Sequence, residues 1–188
     1  MIKGTELGRW LDRDLEEVTR LLSFIDPDAG QALGDAILGA KRIFVLGAGR
    51  SGLVLEAFAM RLMHIGLTAH VVGAATTPPI GRGDLLIVSS ASGSTATVLS
   101  AARAARRARA RVAALTAGGS TSVSKLADLS VRFRGAKTKA LEATSSAMPL
   151  GTVFEQASLV FLDALVAHLA ARRGVTEEDM RSRHNNLE

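Results

Sequence analysis

The chain has 188 residues, 47% of them hydrophobic and 22% charged, with a formal net charge of +5 and no cysteine. That length suits one domain able to bury its own core, and the composition excludes a wholly disordered chain. Disulfides, thiolate metal sites and a cysteine nucleophile are excluded as well. No uninterrupted apolar run approaches the ~20 residues that span a bilayer, and the first residues carry no secretory pattern. The expectation is a cytoplasmic protein with no membrane partner.

In chain order, Leu7, Trp10, Leu11, Leu15, Val18, Leu21, Leu22 and Ile25 recur at three- and four-residue steps. This spacing predicts an amphipathic helix over 6–25, stopped at Asp26-Pro27. A shorter helix follows over 28–38. The pattern then changes to short apolar, β-rich runs: RIFVLG, HVVG, DLLIVSS, RVAALT and LSVRF. Helix-length stretches over 51–66, 94–109, a brief 121–127 and 152–173 alternate with or follow them. Continuously apolar strands separated by helices imply a parallel sheet covered on both faces. The predicted fold is α/β, a three-layer doubly wound sandwich with a five-stranded parallel sheet. It forms one domain over 1–188, with a helical segment at about 5–40 and a polar tail at about 175–188.

The positive excess lies largely in Arg103, Arg106, Arg107, Arg109 and Arg111, on an Ala-rich helical stretch. A solvated helix face explains it, and with no tyrosine and one tryptophan there is little to stack on bases. No nucleic-acid partner is expected. Ligands of such sheets bind beyond the carboxyl ends of the strands, where two loops stand out. Gly47-Ala48-Gly49-Arg50-Ser51-Gly52 matches GxGxxG, yet the acid expected about 20 residues on, to bind a dinucleotide ribose, is missing. Ser90, Ser92, Ser94 and Thr95 surround Gly93 just before a helix, and with Ser51 they supply hydroxyls suited to a phosphate monoester. Helix N-capping is the competing explanation for those serines. No P-loop lysine accompanies them.

The loop within TTPPIGRGDLLIVSSASGST resembles the phosphosugar loop of the sugar isomerase (SIS) domain family. GAGRSG, FAMRLMHIGLTAHVVG, MPLGTVFEQASLVFLD and RHNNLE strengthen the likeness and narrow it to the 6-phospho-3-hexuloisomerases. The resemblance implies a flavodoxin-like strand order, a homo-oligomer (dimer or tetramer), and conversion of D-arabino-3-hexulose 6-phosphate to fructose 6-phosphate through a cis-enediolate. Its functional partner would be 3-hexulose-6-phosphate synthase, and no cofactor or metal is implied. The phosphate would lie on Ser51, Ser90, Ser92, Ser94 and Thr95, with Glu155 as the enediol base. Ala91 stands where relatives commonly have Gly, and Ala74 where they often carry Glu.

Several residues remain open to two readings. Thr152-Val153-Phe154-Glu155 also fits a capping box, in which Glu155 would only complete a helix start. Arg50 is the candidate cation for an enediolate. His64 and His184 are the candidate imidazoles, against a packed helix end for His64 and tail disorder for His184. His70 and His168 are read as structural. Arabinose-5-phosphate or phosphoheptose isomerisation, or sugar-phosphate sensing without turnover, are the rival functions on the same fold.

Overall fold

The computed structural model describes residues 4–136 and 146–187. Its strands are β1 (Ile43–Gly47), β2 (Ala69–Val71), β3 (Leu85–Ser89), β4 (Arg111–Thr116) and β5 (Leu129–Arg132). All pair in parallel, in the order β2-β1-β3-β4-β5. The helices are α1 (Glu6–Leu22), α2 (Pro27–Leu38), α3 (Arg50–His64), α4 (Ala96–Arg107), α5 (Thr152–Arg173) and α6 (Glu177–Ser182). This is the doubly wound three-layer arrangement that the alternation of apolar runs and helices demands.

Side-chain alternation along each strand splits the interior into two cores. Leu85 and Ile87 of β3 face Val18, Leu33, Leu55, Phe58, Leu162 and Leu169, from the helices α1, α2, α3 and α5. Leu86 and Val88 face the opposite way, onto Val98, Ala102 and Ala105 of α4. α5 is long and apolar enough to cross a membrane by length and composition alone. Here it is a core helix lying against α1 and α3.

The helix starts follow local chemistry. The Gly8 amide donates to the Thr5 hydroxyl at α1, and the Asp28 amide to the Asp26 carboxylate at α2, where Pro27 takes the first turn. One expectation is corrected. Residues 121–127 form a turn and not a helix: the Thr121 amide donates to Ser124 Oγ, the Ser124 amide to Thr121 Oγ1, and Ser124 Oγ to the Thr121 carbonyl. These hydroxyls take the groups that a helix would use. The tail after residue 175 is ordered as α6, with a reciprocal Thr176–Asp179 capping box. Glu188 lies outside the described residues.

At the amino ends of β1 and β3, away from the candidate ligand loops, Asp84 is buried and Arg42 grips it with two hydrogen bonds of 3.1 and 2.7 Å. Burial opposes the carboxylate's charge. The Arg42 bonds and the Gly81 amide outweigh it and hold the carboxyl below its ordinary range. Asp84→Asn leaves the guanidinium without its counter-charge. Because solvent reaches part of Arg42, the expected cost is about 2 kcal/mol, read as a fall of about 4–8 °C in Tm by calorimetry. A change within a degree or two would show that the pair contributes little.

Candidate active site

The carboxyl ends of β1 and β3 open into a cavity of about 480 Å³, within the range of small-ligand sites. Its walls are the β1–α3 loop (Ala48 to Ser51), the β3–α4 loop (Ser89 to Ser92 with Thr95), and the start of α5 (Leu150, Gly151, Glu155). Three segments far apart in sequence thus meet at one rim.

The glycines of the first loop have a steric purpose. A Cβ at Gly47 would lie 2.6 Å from the Gly52 amide nitrogen, and one at Gly52 would lie 2.9 Å from the Gly47 carbonyl oxygen. Gly49 adopts a left-handed φ of +58° as the N-cap of α3. The pattern GxGxxG therefore lets α3 begin directly against the strand end. Ser51 is buried at that start, and Arg50 extends from it over the cavity.

In the second loop Ser90 Oγ lies 2.9 Å from Thr95 Oγ1 and accepts from the Gly93 amide at 3.1 Å. Thr95 occupies the N-cap of α4 but makes no side-chain cap. The N-capping explanation therefore fails for Thr95, and the first amides of α4 keep their capacity to bind an anion. Gly93 has φ +63°, and a Cβ there would run into the Thr121 side chain. Ser94 lies outside the cavity lining and donates to Ser92 Oγ at 3.0 Å, which makes it a support for Ser92. Ala91 does not adopt positive φ, so alanine fits there without strain. Ala74 sits in an exposed turn after β2, outside the cavity lining.

Glu155 does not complete a capping box. Gly151 is the N-cap of α5, and Thr152 directs its hydroxyl to the Pro149 carbonyl at 2.6 Å. The Glu155 carboxylate instead meets Arg50 Nε at 2.6 Å, with 17% of its side chain exposed. Helix α1 secures this corner: the Ala147 amide donates to Glu17 Oε1 at 2.8 Å, and Gln156 Nε2 to Asp14 Oδ2 at 2.6 Å. Leu150, on the lip, holds a left-handed φ of +53°. That strain, tolerated at the mouth of the cavity, has no signature in the sequence, and neither has the clamp from Glu17. Ser89, which lines the cavity, belongs to the serine run of the second loop in sequence, but here it is the last residue of β3 and stands outside the predicted phosphate set.

The histidines are elsewhere in the chain. His64 closes α3, about 20 Å along the helix from Arg50, and is buried. His184 stacks on it with ring centroids 5.1 Å apart, and Arg183 Nη1 donates to the His64 carbonyl. His70 lies on β2 beside the Phe44 ring.

A family model for the SIS domain matches residues 36–160. The chain belongs to the SIS domain family. It is 41% identical to the 3-hexulose-6-phosphate isomerase of Bacillus subtilis over 93% of this chain and 95% of that one. Identity to the Mycobacterium gastri 3-hexulose-6-phosphate isomerase is 40%, over 100% of this chain and 94% of that one. The crystal structure of a Methanococcus jannaschii protein, for which a 3-hexulose-6-phosphate isomerase function has been inferred, superposes with a TM-score of 0.83. That match has 35% identity and covers 96% of this chain and 99% of that one.

The docked tail yields a pH prediction. Burial first, then repulsion from His184 and Arg61, hold the His64 imidazole below its ordinary value of 6.5. The docked state favours neutral His64, so its contribution is complete above pH 6.5 and declines as acid protonates the undocked form. Amide exchange across 177–187 should be faster at pH 5 than at pH 7.5, relative to a free peptide of the same sequence. Equal protection at both values would show that His64 does not hold the tail.

Proposed function

We propose that this SIS domain converts D-arabino-3-hexulose 6-phosphate to fructose 6-phosphate, with Glu155 as the base. The observation that carries the reading is that Glu155, Arg50 and the serine loop share one cavity. The names of relatives about 40% identical over nearly the whole chain support the substrate.

The phosphate is received by Ser51, Ser90, Ser92 and Thr95 and by the first amides of α4, with Ser94 fixing Ser92. This leaves the sugar chain to cross the sheet edge towards α5. Moving the carbonyl from C3 to C2 requires removal of the C2 proton and delivery of a proton to C3. One carboxylate over that bond does both: Glu155 takes the proton from C2, the electron pair forms a cis-enediolate, and the proton returns to C3. The O2 hydroxyl proton passes to O3, leaving a ketone at C2. Arg50, already beside Glu155, supplies positive charge where the enediolate oxygens develop.

The same reading makes the protein a homo-oligomer in which His64 or His184 approaches the cavity of a neighbouring copy. Support comes from apolar side chains left uncovered in one chain: Leu7, Trp10, Leu11 and Leu15 of α1, Leu53 and Met60 of α3, and Val160 of α5. We further propose that the synthase producing the hexulose phosphate is the functional partner.

A coupled assay tests the reaction, using ribulose 5-phosphate, formaldehyde and purified 3-hexulose-6-phosphate synthase, with fructose 6-phosphate as the readout. Glu155→Gln should lower kcat by about 10²–10⁴-fold while Tm stays close to wild type. Full activity in that variant would remove Glu155 from the chemistry. The substrate, a 3-ketose phosphorylated at O6, needs no ring opening, whereas fructose 6-phosphate consumed in reverse does. His184→Ala should therefore depress the reverse rate more than the forward one if it opens rings, and equal losses would exclude that role.

A further inference from the structure

Ser89 is 1% exposed and lines the cavity floor, yet its hydroxyl has no hydrogen-bond partner among the described residues. A buried hydroxyl without a partner is destabilising, and native proteins retain few of them. In the loop beside it the hydroxyls have partners, Ser90 with Thr95 and Ser92 with Ser94. Ser89 therefore differs from its neighbours in more than position.

Strand alternation explains the difference. Ser89 continues the Leu85–Ile87 row, which faces α3 and α5, while Ser90 turns towards α4 and meets its N-cap residue. Two adjacent serines are thereby sent to opposite sides of the sheet. Ser90 joins the phosphate cradle; Ser89 lies on the side that carries Glu155. Its cross-strand neighbours are Gly47, which has no side chain, and Leu115, which offers no polar atom. A turn about χ1, between ordinary staggered rotamers, is the freedom the hydroxyl has for presenting itself to the cavity.

Resting on the phosphosugar reading of this cavity, we propose that Ser89 is a substrate-contacting residue. Its hydroxyl bonds the O4 or O5 hydroxyl of the ketose, between the phosphate at O6 and the reacting C2–C3 bond. A serine here favours a chain polyhydroxylated along that span, and it fixes the distance from the anchored phosphate to Glu155.

The test compares wild type with Ser89→Ala in three readouts: kcat/KM in the coupled assay, inhibition by inorganic phosphate, and the Tm rise produced by fructose 6-phosphate. Loss of one such bond should lower kcat/KM about tenfold and shrink the fructose 6-phosphate shift. The inhibition constant of inorganic phosphate should not move. Without ligand, the variant should melt at the wild-type temperature or higher, because the unpaired hydroxyl is gone. Unchanged kcat/KM together with an unchanged fructose 6-phosphate shift overturns the assignment. So does a matching loss of phosphate affinity, which would place the hydroxyl in the phosphate cradle. The Tm comparison needs binding only: a wild type stabilised by fructose 6-phosphate without turning it over would overturn the isomerase reading, while Ser89 would still be judged by its shift.

Discussion

The close approach of Gly47 and Gly52 is the constraint on which the site depends. Backbone meets backbone at a distance that no side chain at either position would permit. Helix α3 can therefore start at the very end of β1, and Ser51 and Arg50 are delivered to the rim of the sheet. Had the loop been wider, Arg50 would not reach Glu155 from across the cavity. The same three glycines explain why the motif looks like a dinucleotide fingerprint: the steric requirement of a tight strand-to-helix turn is common to both. The ligand is then decided by what surrounds the turn.

What surrounds it divides by sheet face. The α4 side carries hydroxyls and unpaired helix amides, a setting for an anion that needs no metal-binding side chain. On the α5 side stands a carboxylate held by one arginine, over a core of Phe133, Phe154 and Leu162. On the proposed reading, a phosphorylated polyol would span the two, with its charge on one side and its reacting carbons on the other. Asp84, buried and held by Arg42, sits at the opposite end of the strands, so this stabilising pair and the candidate site lie at separate ends of the same sheet.

Much of this was legible in the sequence, and the reasons are specific. β1, β3 and β4 are unbroken apolar runs because both of their faces are covered, and α5 over 152–173 is read to the residue. The serine loop and Glu155 were legible as candidates because a hydroxyl cluster before a helix suits either a cap or an anion, and the family pattern pointed to the glutamate; the structure brings them to one cavity. Thr152-x-x-Glu155 left two readings open because a capping box is a sequence pattern with a geometric condition. Here Gly151 takes the cap position, and Arg50 competes for the carboxylate. Residues 121–127 misled through hydroxyls that bond their own backbone. Ser89 is visible as part of the serine run, but the strand register that turns it away from Ser90 is not; Glu17 is a charge on a helix face, meaningful only once the Ala147 amide is beside it.

The histidines show how far one chain carries the argument. His64 and Arg50 share a helix, so its rigid rise keeps them about 20 Å apart whatever the side chains do. No rearrangement of α3 can bring both to one substrate. The tail stacks His184 on His64, so the two imidazoles form a unit at the far end. On the proposed reading, one chain thus offers base, cation and phosphate cradle, without an imidazole in reach. On the proposed reading, the imidazole must come from another copy, and the uncovered leucines of α1 are the surface for that encounter. The apolar stripe and the histidine pair would then have one explanation, in which assembly and completion of the site are the same event.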